Sequence, residues 1–316
     1  MYFGLTICFW LVTVITFLAP VTSVDENTSA EYVSFRLTGG HDPLILVPVY
    51  VEGKGPFQFI LDTGAFRCLL SPELSTVIGV KKEAQQEAMG TGGPMKMSSA
   101  HVASLTVGSV RQENVEVAVT EELSRFADAV RSKVDGVIGF SFLKDFRLTV
   151  DYQRNILNLV RTSSAPPEDA NAQPAGSVPF SLASPLTSLI LLPVFVNGRG
   201  PFQFVLDTGA SRTTLSFELA RKLGMVSVAD RSATAAGGQM RMFSSSVDSL
   251  ALGKVSVRDL GVSVGEFFNS LNAVSGTKLD GIIGNDFIGR FELTIDFPRR
   301  MISLTPPKNS ISGKTP

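Results

Sequence analysis

Two aspartates stand in the same eleven-residue setting. Asp62 lies in GPFQFILDTGA (Gly55 to Ala65) and Asp207 in GPFQFVLDTGA (Gly200 to Ala210), copies that differ only at Ile60 against Val205. A carboxylate at the end of an apolar run is expensive to place unless something uses it. Two carboxyl groups brought within a few ångströms cannot both ionise, so they share one proton and their pKa values split. The ionised member can then take a proton from water while the protonated member polarises a carbonyl. The plainer alternative is a pair of turn-capping aspartates in a duplicated β domain.

The elements that would position these residues are also duplicated. The offset between the two DTG triplets is 207 − 62 = 145. The same offset carries VDGVIG (Val134 to Gly139) onto LDGIIG (Leu279 to Gly284), Gly92-Gly93 onto Gly237-Gly238, and SLTVGSV (Ser104 to Val110) onto SLALGKV (Ser249 to Val255). A fixed-register repeat of this kind predicts two like units, 32–161 and 177–306. The Pro/Ala/Asp-containing stretch 162–176 reads as a linker, and 307–316 as a disordered tail. Within each unit the local patterns are mostly β. LILVPVYV and LILLPVFV are apolar runs followed by glycine turns, and FQFIL or FQFVL is a strand that ends on the aspartate. A short helix follows, with Ser71 as cap, Pro72 at its first position and Gly79 at its close. Ser216 and Gly224 repeat these caps. A second short helix is expected after Gly139 and after Gly284.

Composition narrows the function. The chain has 28 basic and 29 acidic residues, which removes the electrostatic basis for nucleic-acid binding. With two cysteines (Cys8, Cys68) and two histidines (His41, His101), neither a disulfide framework nor a Cys/His zinc cluster can be built, and no cofactor is expected. Phe3 to Val24 carries no charge and has small residues at Val21 and Ser23, so 1–24 reads as a signal peptide. The stretch lacks a leading basic residue and is long enough to cross a bilayer of ~30 Å, so a retained membrane anchor is the alternative. Both place the remainder outside the cytoplasm, secreted or periplasmic. Loss of the segment would remove Cys8 and leave Cys68 unpaired, and Cys68 reads as a small core residue.

With both triplets, both glycine pairs and both Asp-Gly-apolar-apolar-Gly motifs in view, each unit resembles a retropepsin-type aspartic protease protomer. The whole chain is similar to single-chain, bilobal bacterial members of the aspartyl protease family. The resemblance implies a mainly β fold of two acid-protease β-barrel units with pseudo-twofold symmetry and few short helices. It implies an aspartic endopeptidase acting on peptide or protein substrates, active as a monomer, with Asp62 and Asp207 catalytic. Thr63 and Thr208 would hydrogen-bond across the axis, Gly64 and Gly209 would let substrate approach, and the Val137–Gly139 and Ile282–Gly284 segments would support the aspartate loops. Gly92, Gly93, Gly237 and Gly238 fall where flap tips lie, although a simple hairpin turn explains them equally well. Arg67 and Arg212 would line the substrate groove and favour acidic groups. A structural ion pair with a carboxylate such as Glu73 or Glu218 is the competing and stronger reading of those arginines. Asp135 and Asp280 read as turn formers or structural partners. Ala65 and Ala210 stand where pepsins place a hydroxyl, which implies a milder pH optimum than pepsin's. A catalytically idle peptide-binding module on the same fold is the functional alternative.

Overall fold

The structure, a computed structural model, describes residues 32–39, 43–162, 176–184, 187–225 and 229–307. The expected signal segment, nearly all of the expected linker and most of the expected tail lie outside them.

Each half of the chain builds its own eight-stranded sheet. The first runs, in spatial order, β2 (Arg36–Leu37), β3 (Ile45–Val51), β4 (Lys54–Leu61), β9 (Gly136–Ile138), β5 (Cys68–Leu70), β8 (Val110–Val119), β7 (Gly93–Val107) and β6 (Gln85–Gly90). The second repeats that order with β13 (Ser181–Ser184), β14 (Thr187–Val196), β15 (Arg199–Leu206), β20 (Gly281–Ile283), β16 (Thr214–Ser216), β19 (Val255–Gly265), β18 (Gly238–Leu252) and β17 (Ala229–Ala235). Pairing is antiparallel except where β4 meets β9 and β5 meets β8, and at the equivalent places in the second lobe.

The strand that delivers each aspartate is buried on both faces, which accounts for its unbroken apolar run. Phe59 and Leu61 of β4 point into the main core, while Ile60 enters a satellite cluster with Leu46, Leu123, Val134 and Val137. Phe204, Leu206 and Val205 of β15 divide in the same way. The turns before these strands need left-handed backbone at two successive residues, supplied by Glu52 (φ 51°) and Gly53 (φ 77°), and by Asn197 (φ 51°) and Gly198 (φ 70°).

The capped helices form where the sequence placed them. They are α1 (Pro72–Ile78) and α4 (Phe217–Lys222), with the Ser71 and Ser216 hydroxyls each accepting a backbone N–H at 3.1 Å. The short helices after the glycines are α3 (Phe140–Leu143) and α6 (Asn285–Ile288). Two more were not anticipated: α2 (Glu122–Ala129) and α5 (Phe268–Ser275). Phe267 gives α5 no side-chain capping bond, and α2 is capped only from Thr120, whose hydroxyl accepts the Glu122 amide at 3.3 Å. They form because Leu123 and Phe268 cover the satellite clusters.

The two like units are also joined to each other. A third sheet, shared by both halves, runs β1 (Val33–Ser34), β11 (Ile156–Arg161), β10 (Phe146–Asp151), β21 (Glu292–Asp296), β22 (Met301–Thr305) and β12 (Val178–Pro179). β10 pairs with β21 so that Thr149 faces Thr294, its own repeat equivalent, with their hydroxyls 3.2 Å apart. The pseudo-twofold axis therefore passes through this pair. Its neighbours Leu148, Val150, Leu293 and Ile295 are fully buried, welding the lobes through one continuous core.

Leu148→Ala is expected to lower stability by about 2–5 kcal/mol through the cavity it leaves beneath the shared sheet. A urea midpoint unchanged from the parent protein would refute that account of how the lobes are joined.

Candidate active site

Each aspartate loop is held from behind by the strand that threads past it. The Asp62 amide donates to the Ile138 carbonyl at 3.0 Å, and the Asp207 amide to Ile283 at 3.0 Å. Those threading strands end on glycines that cannot be replaced: a Cβ on Gly139 would sit 2.8 Å from the Ala65 carbonyl oxygen, and one on Gly284 2.7 Å from that of Ala210. Asp135 and Asp280 start the same segments. Their carboxylates accept the Gln58 and Gln203 amides at 2.8 and 3.0 Å, which makes them structural partners.

From the front, the loops are bound to one another. The Thr63 amide donates to Thr208 Oγ1 at 3.1 Å and the Thr208 amide to Thr63 Oγ1 at 3.0 Å. Each hydroxyl then donates to the carbonyl before the opposite aspartate: Thr63 to Leu206 at 3.1 Å, Thr208 to Leu61 at 2.9 Å. Both threonines are completely buried, so this four-bond ring works where water cannot compete.

The ring fixes the carboxyls against each other. A Cβ added at Gly64 would meet the Asp207 carboxyl carbon at 2.9 Å, and one at Gly209 would meet that of Asp62 at 2.4 Å. Each acid thus rests on the opposite lobe's glycine, and the two carboxyls hydrogen-bond to one another. Both keep a little open surface toward the cleft while protein encloses the rest. Asp62 Oδ1 accepts from the Gly64 and Ala65 amides at 2.8 and 2.9 Å. Asp207 Oδ1 accepts from Gly209 at 2.7 Å, but the Ala210 amide turns to the backbone oxygen of Asp207 at 3.3 Å. Burial pushes Asp62 up, while the Ala65 amide, the bond with Asp207 and the Gly64 amide pull it back. Burial, then the charge of Asp62, push Asp207 well above the ordinary range. The loops thus hold the two acids unequally, with two amide donors on Asp62 Oδ1 and one on Asp207 Oδ1.

A pair of hairpins, one from each lobe, meets tip to tip. β6 and β7 turn at Thr91-Gly92, β17 and β18 at Ala236-Gly237, so the four glycines singled out in the sequence lie at or beside the two tips. The tips touch: the Gly92 amide donates to Ala236 O at 2.8 Å, and a Cβ on Gly237 would lie 2.1 Å from Gly93 O. Backbone meets backbone here, an approach open only to glycine.

The arginines find partners other than the carboxylates nearest them in the chain. Arg67 is held on its own lobe by Glu116 at 2.9 Å and Ser99 at 3.1 Å rather than by Glu73, and Glu218 pairs with Lys278 instead of Arg212. Arg212 reaches Gly261 O at 3.5 Å and lies near enough to Asp286 to affect its charge. Cys68 is fully buried, and burial pushes its thiol up, as suits a core residue. Asn285 was missed by sequence reasoning. Its amide nitrogen donates to the carbonyls of Thr208 at 2.7 Å and Ala210 at 3.2 Å, directly behind Asp207. The available signal was a break in the repeat, because the equivalent residue is Phe140.

A two-lobed, mainly β molecule that clamps one buried aspartic acid from each lobe against the other defines the aspartic protease class. The chain belongs to the aspartyl protease family, whose pattern matches residues 47–142 and again 192–287. These spans contain the two triplets and stand in the same register as the repeat. No curated protein matches the chain.

Because the folded state raises the Asp207 pKa, folding favours its protonated form. Above the folded pKa the acid weakens the fold; below the ordinary value of 3.8 it does not. Asp207→Asn is therefore expected to raise the thermal midpoint at neutral pH and to lose that advantage at low pH. A pH-independent difference would contradict the assigned burial.

Proposed function

We propose that this protein is an exported aspartic endopeptidase that hydrolyses peptide bonds in an extended peptide or protein segment lying between the paired acids and the two hairpins. The observation that carries the reading is the buried, mutually hydrogen-bonded carboxyl pair built by the cross-lobe threonine ring. Ionised Asp62, with two amide donors on Oδ1, takes a proton from a water molecule between the acids. Protonated Asp207 donates to the scissile carbonyl oxygen, and the water oxygen bonds to the carbonyl carbon. The tetrahedral species then breaks its carbon–nitrogen bond as the dyad returns a proton to the leaving nitrogen. The sum is one water consumed and one amide divided into acid and amine, with no covalent bond to the protein.

One chain supplies both acids, so a monomer suffices for turnover. The tip contact of the hairpins rests on a backbone hydrogen bond and glycine packing, a modest barrier to admitting substrate. The proposal of export is supported by the uncharged stretch from Phe3 to Val24. Among the described residues no helix is long and apolar enough to cross a membrane. A mature N-terminus near residue 24 in a mass measurement would fit a cleaved signal, and an intact Met1 would exclude it.

The test is hydrolysis of a denatured protein across a pH series by the parent chain, Asp62→Asn and Asp207→Asn. Either substitution is expected to reduce kcat by at least about a hundredfold, since each removes half of the acid–base pair. An active variant would sink the assignment, and an inactive but peptide-binding parent would favour the idle-module alternative. Because burial raises both acids and Ala65 and Ala210 have no hydroxyl to donate, activity should peak at mildly acidic pH. A maximum confined below about pH 3 would be inconsistent with acids held above their usual value near 3.9.

A further inference from the structure

The two lobes differ behind their aspartate loops. On the second lobe, the Tyr152 hydroxyl donates to Asn285 Oδ1 at 2.7 Å, and Asn285 Nδ2 donates to Thr208 O at 2.7 Å. Thr208 O belongs to the same peptide group as the Gly209 N–H, which donates to Asp207 Oδ1 at 2.7 Å. The amide orientation follows from its partners: turned over, Asn285 would present oxygen to two carbonyls and nitrogen to a hydroxyl proton. Tyr152 comes from the first lobe, just after β10, so the chain crosses the lobe boundary. The repeat equivalents on the other side are Phe140 and Phe297, which meet edge to face at 5.9 Å and offer no side-chain donor to the Asp62 loop.

We infer that Tyr152 and Asn285 are positioning residues forming a one-sided relay. It passes an aligned chain of hydrogen bonds through the Thr208–Gly209 peptide to Asp207, holds Oδ1 as the accepting oxygen and leaves Oδ2 to carry the shared proton. Hydrogen bonds in such a chain polarise one another, so each donor upstream strengthens the last. The duplicated frame would make the acids interchangeable; this relay, absent from the Asp62 side, makes them distinct. Burial pushes the Tyr152 phenol up, so it stays protonated and donating through the working range. The charged and titratable groups about this loop are Asp62 across the cleft, Asp286 next to Asn285 on α6, and Arg212 beyond Ala210. All three are left in place by the substitutions below.

This inference rests on the dyad reading, and its test separates the two. The proteins to compare are the parent, Tyr152→Phe, and Tyr152→Phe combined with Asn285→Phe, which installs the apolar pair of the other lobe. Readouts are kcat, KM, thermal midpoint and carbon-13 titration of the dyad carboxyls. Tyr152→Phe is expected to lower kcat about fivefold with KM unchanged, the effect of one lost hydrogen bond of about 1 kcal/mol. The upper titration of the dyad should move to higher pH, because weaker donation to Asp207 disfavours its anion. The double variant should show larger changes in the same direction at a near-parental thermal midpoint. If kcat falls only in step with the folded fraction while the carboxyl titration stays put, the relay is refuted and the pair is packing alone. Should the double variant not fold, Tyr152→Phe decides by the same criteria. A parent whose carboxyls titrate as a split pair yet cleaves no peptide would overturn the proteolytic reading, and the titration would still judge the relay.

Discussion

Holding two carboxyl groups in hydrogen-bond contact inside protein is the demand around which this molecule is arranged. Burial raises both acids, and proximity forbids both from ionising. Nothing in the pair itself favours that arrangement, so the surroundings must impose it. The threonine ring ties the loops in front, the threaded strands hold them behind, and the shared six-stranded sheet prevents the lobes from relaxing apart. The glycines at 64 and 209 are the other half of the device. Any side chain there would occupy the place of the opposing carboxyl.

The repeat supplies geometry, and its departures supply chemistry. At one backbone position the Cys68 amide is satisfied by the Ser141 hydroxyl at 3.0 Å, while its counterpart, the Thr213 amide, is satisfied by the Asp286 carboxylate at 2.8 Å. The same requirement is met by a hydroxyl in one lobe and a carboxylate in the other. Tyr152 with Asn285, against Phe297 with Phe140, is a departure of the same kind nearer the acids. Two identical lobes would produce a symmetric dyad in which neither acid is assigned a role. Loop hydrogen bonding favours charge on Asp62, with two amides on its Oδ1 against one on that of Asp207, while the relay strengthens that one donor and so tempers the difference.

The arginines illustrate how position along the chain can mislead. Arg67, five residues beyond Asp62, pairs with Glu116 on β8 rather than with Glu73. That carboxylate is distant in sequence and adjacent only because β5 pairs with β8 in parallel. Neighbours made by strand pairing have no local trace, so Glu73, nearby in the chain, looked the better partner.

The duplication, the strand that ends on each aspartate, the capped helices and the hairpin tips were legible because each is written in local periodicity, caps or turn residues that act over a few positions. The acids themselves were legible because a polar pair at the end of an apolar strand carries a desolvation cost, and this chain bears it twice in one register. Helices α2 and α5 were not, since they are stabilised by the clusters they cover. The shared sheet and the crossing of Tyr152 to Asn285 were likewise invisible. Chain order alone thus settled which groups exist and that they come in pairs. Their distance, their inequality and their partners were decided by tertiary packing, because those depend on contacts between residues more than a hundred positions apart, such as Thr63 with Thr208 and Tyr152 with Asn285.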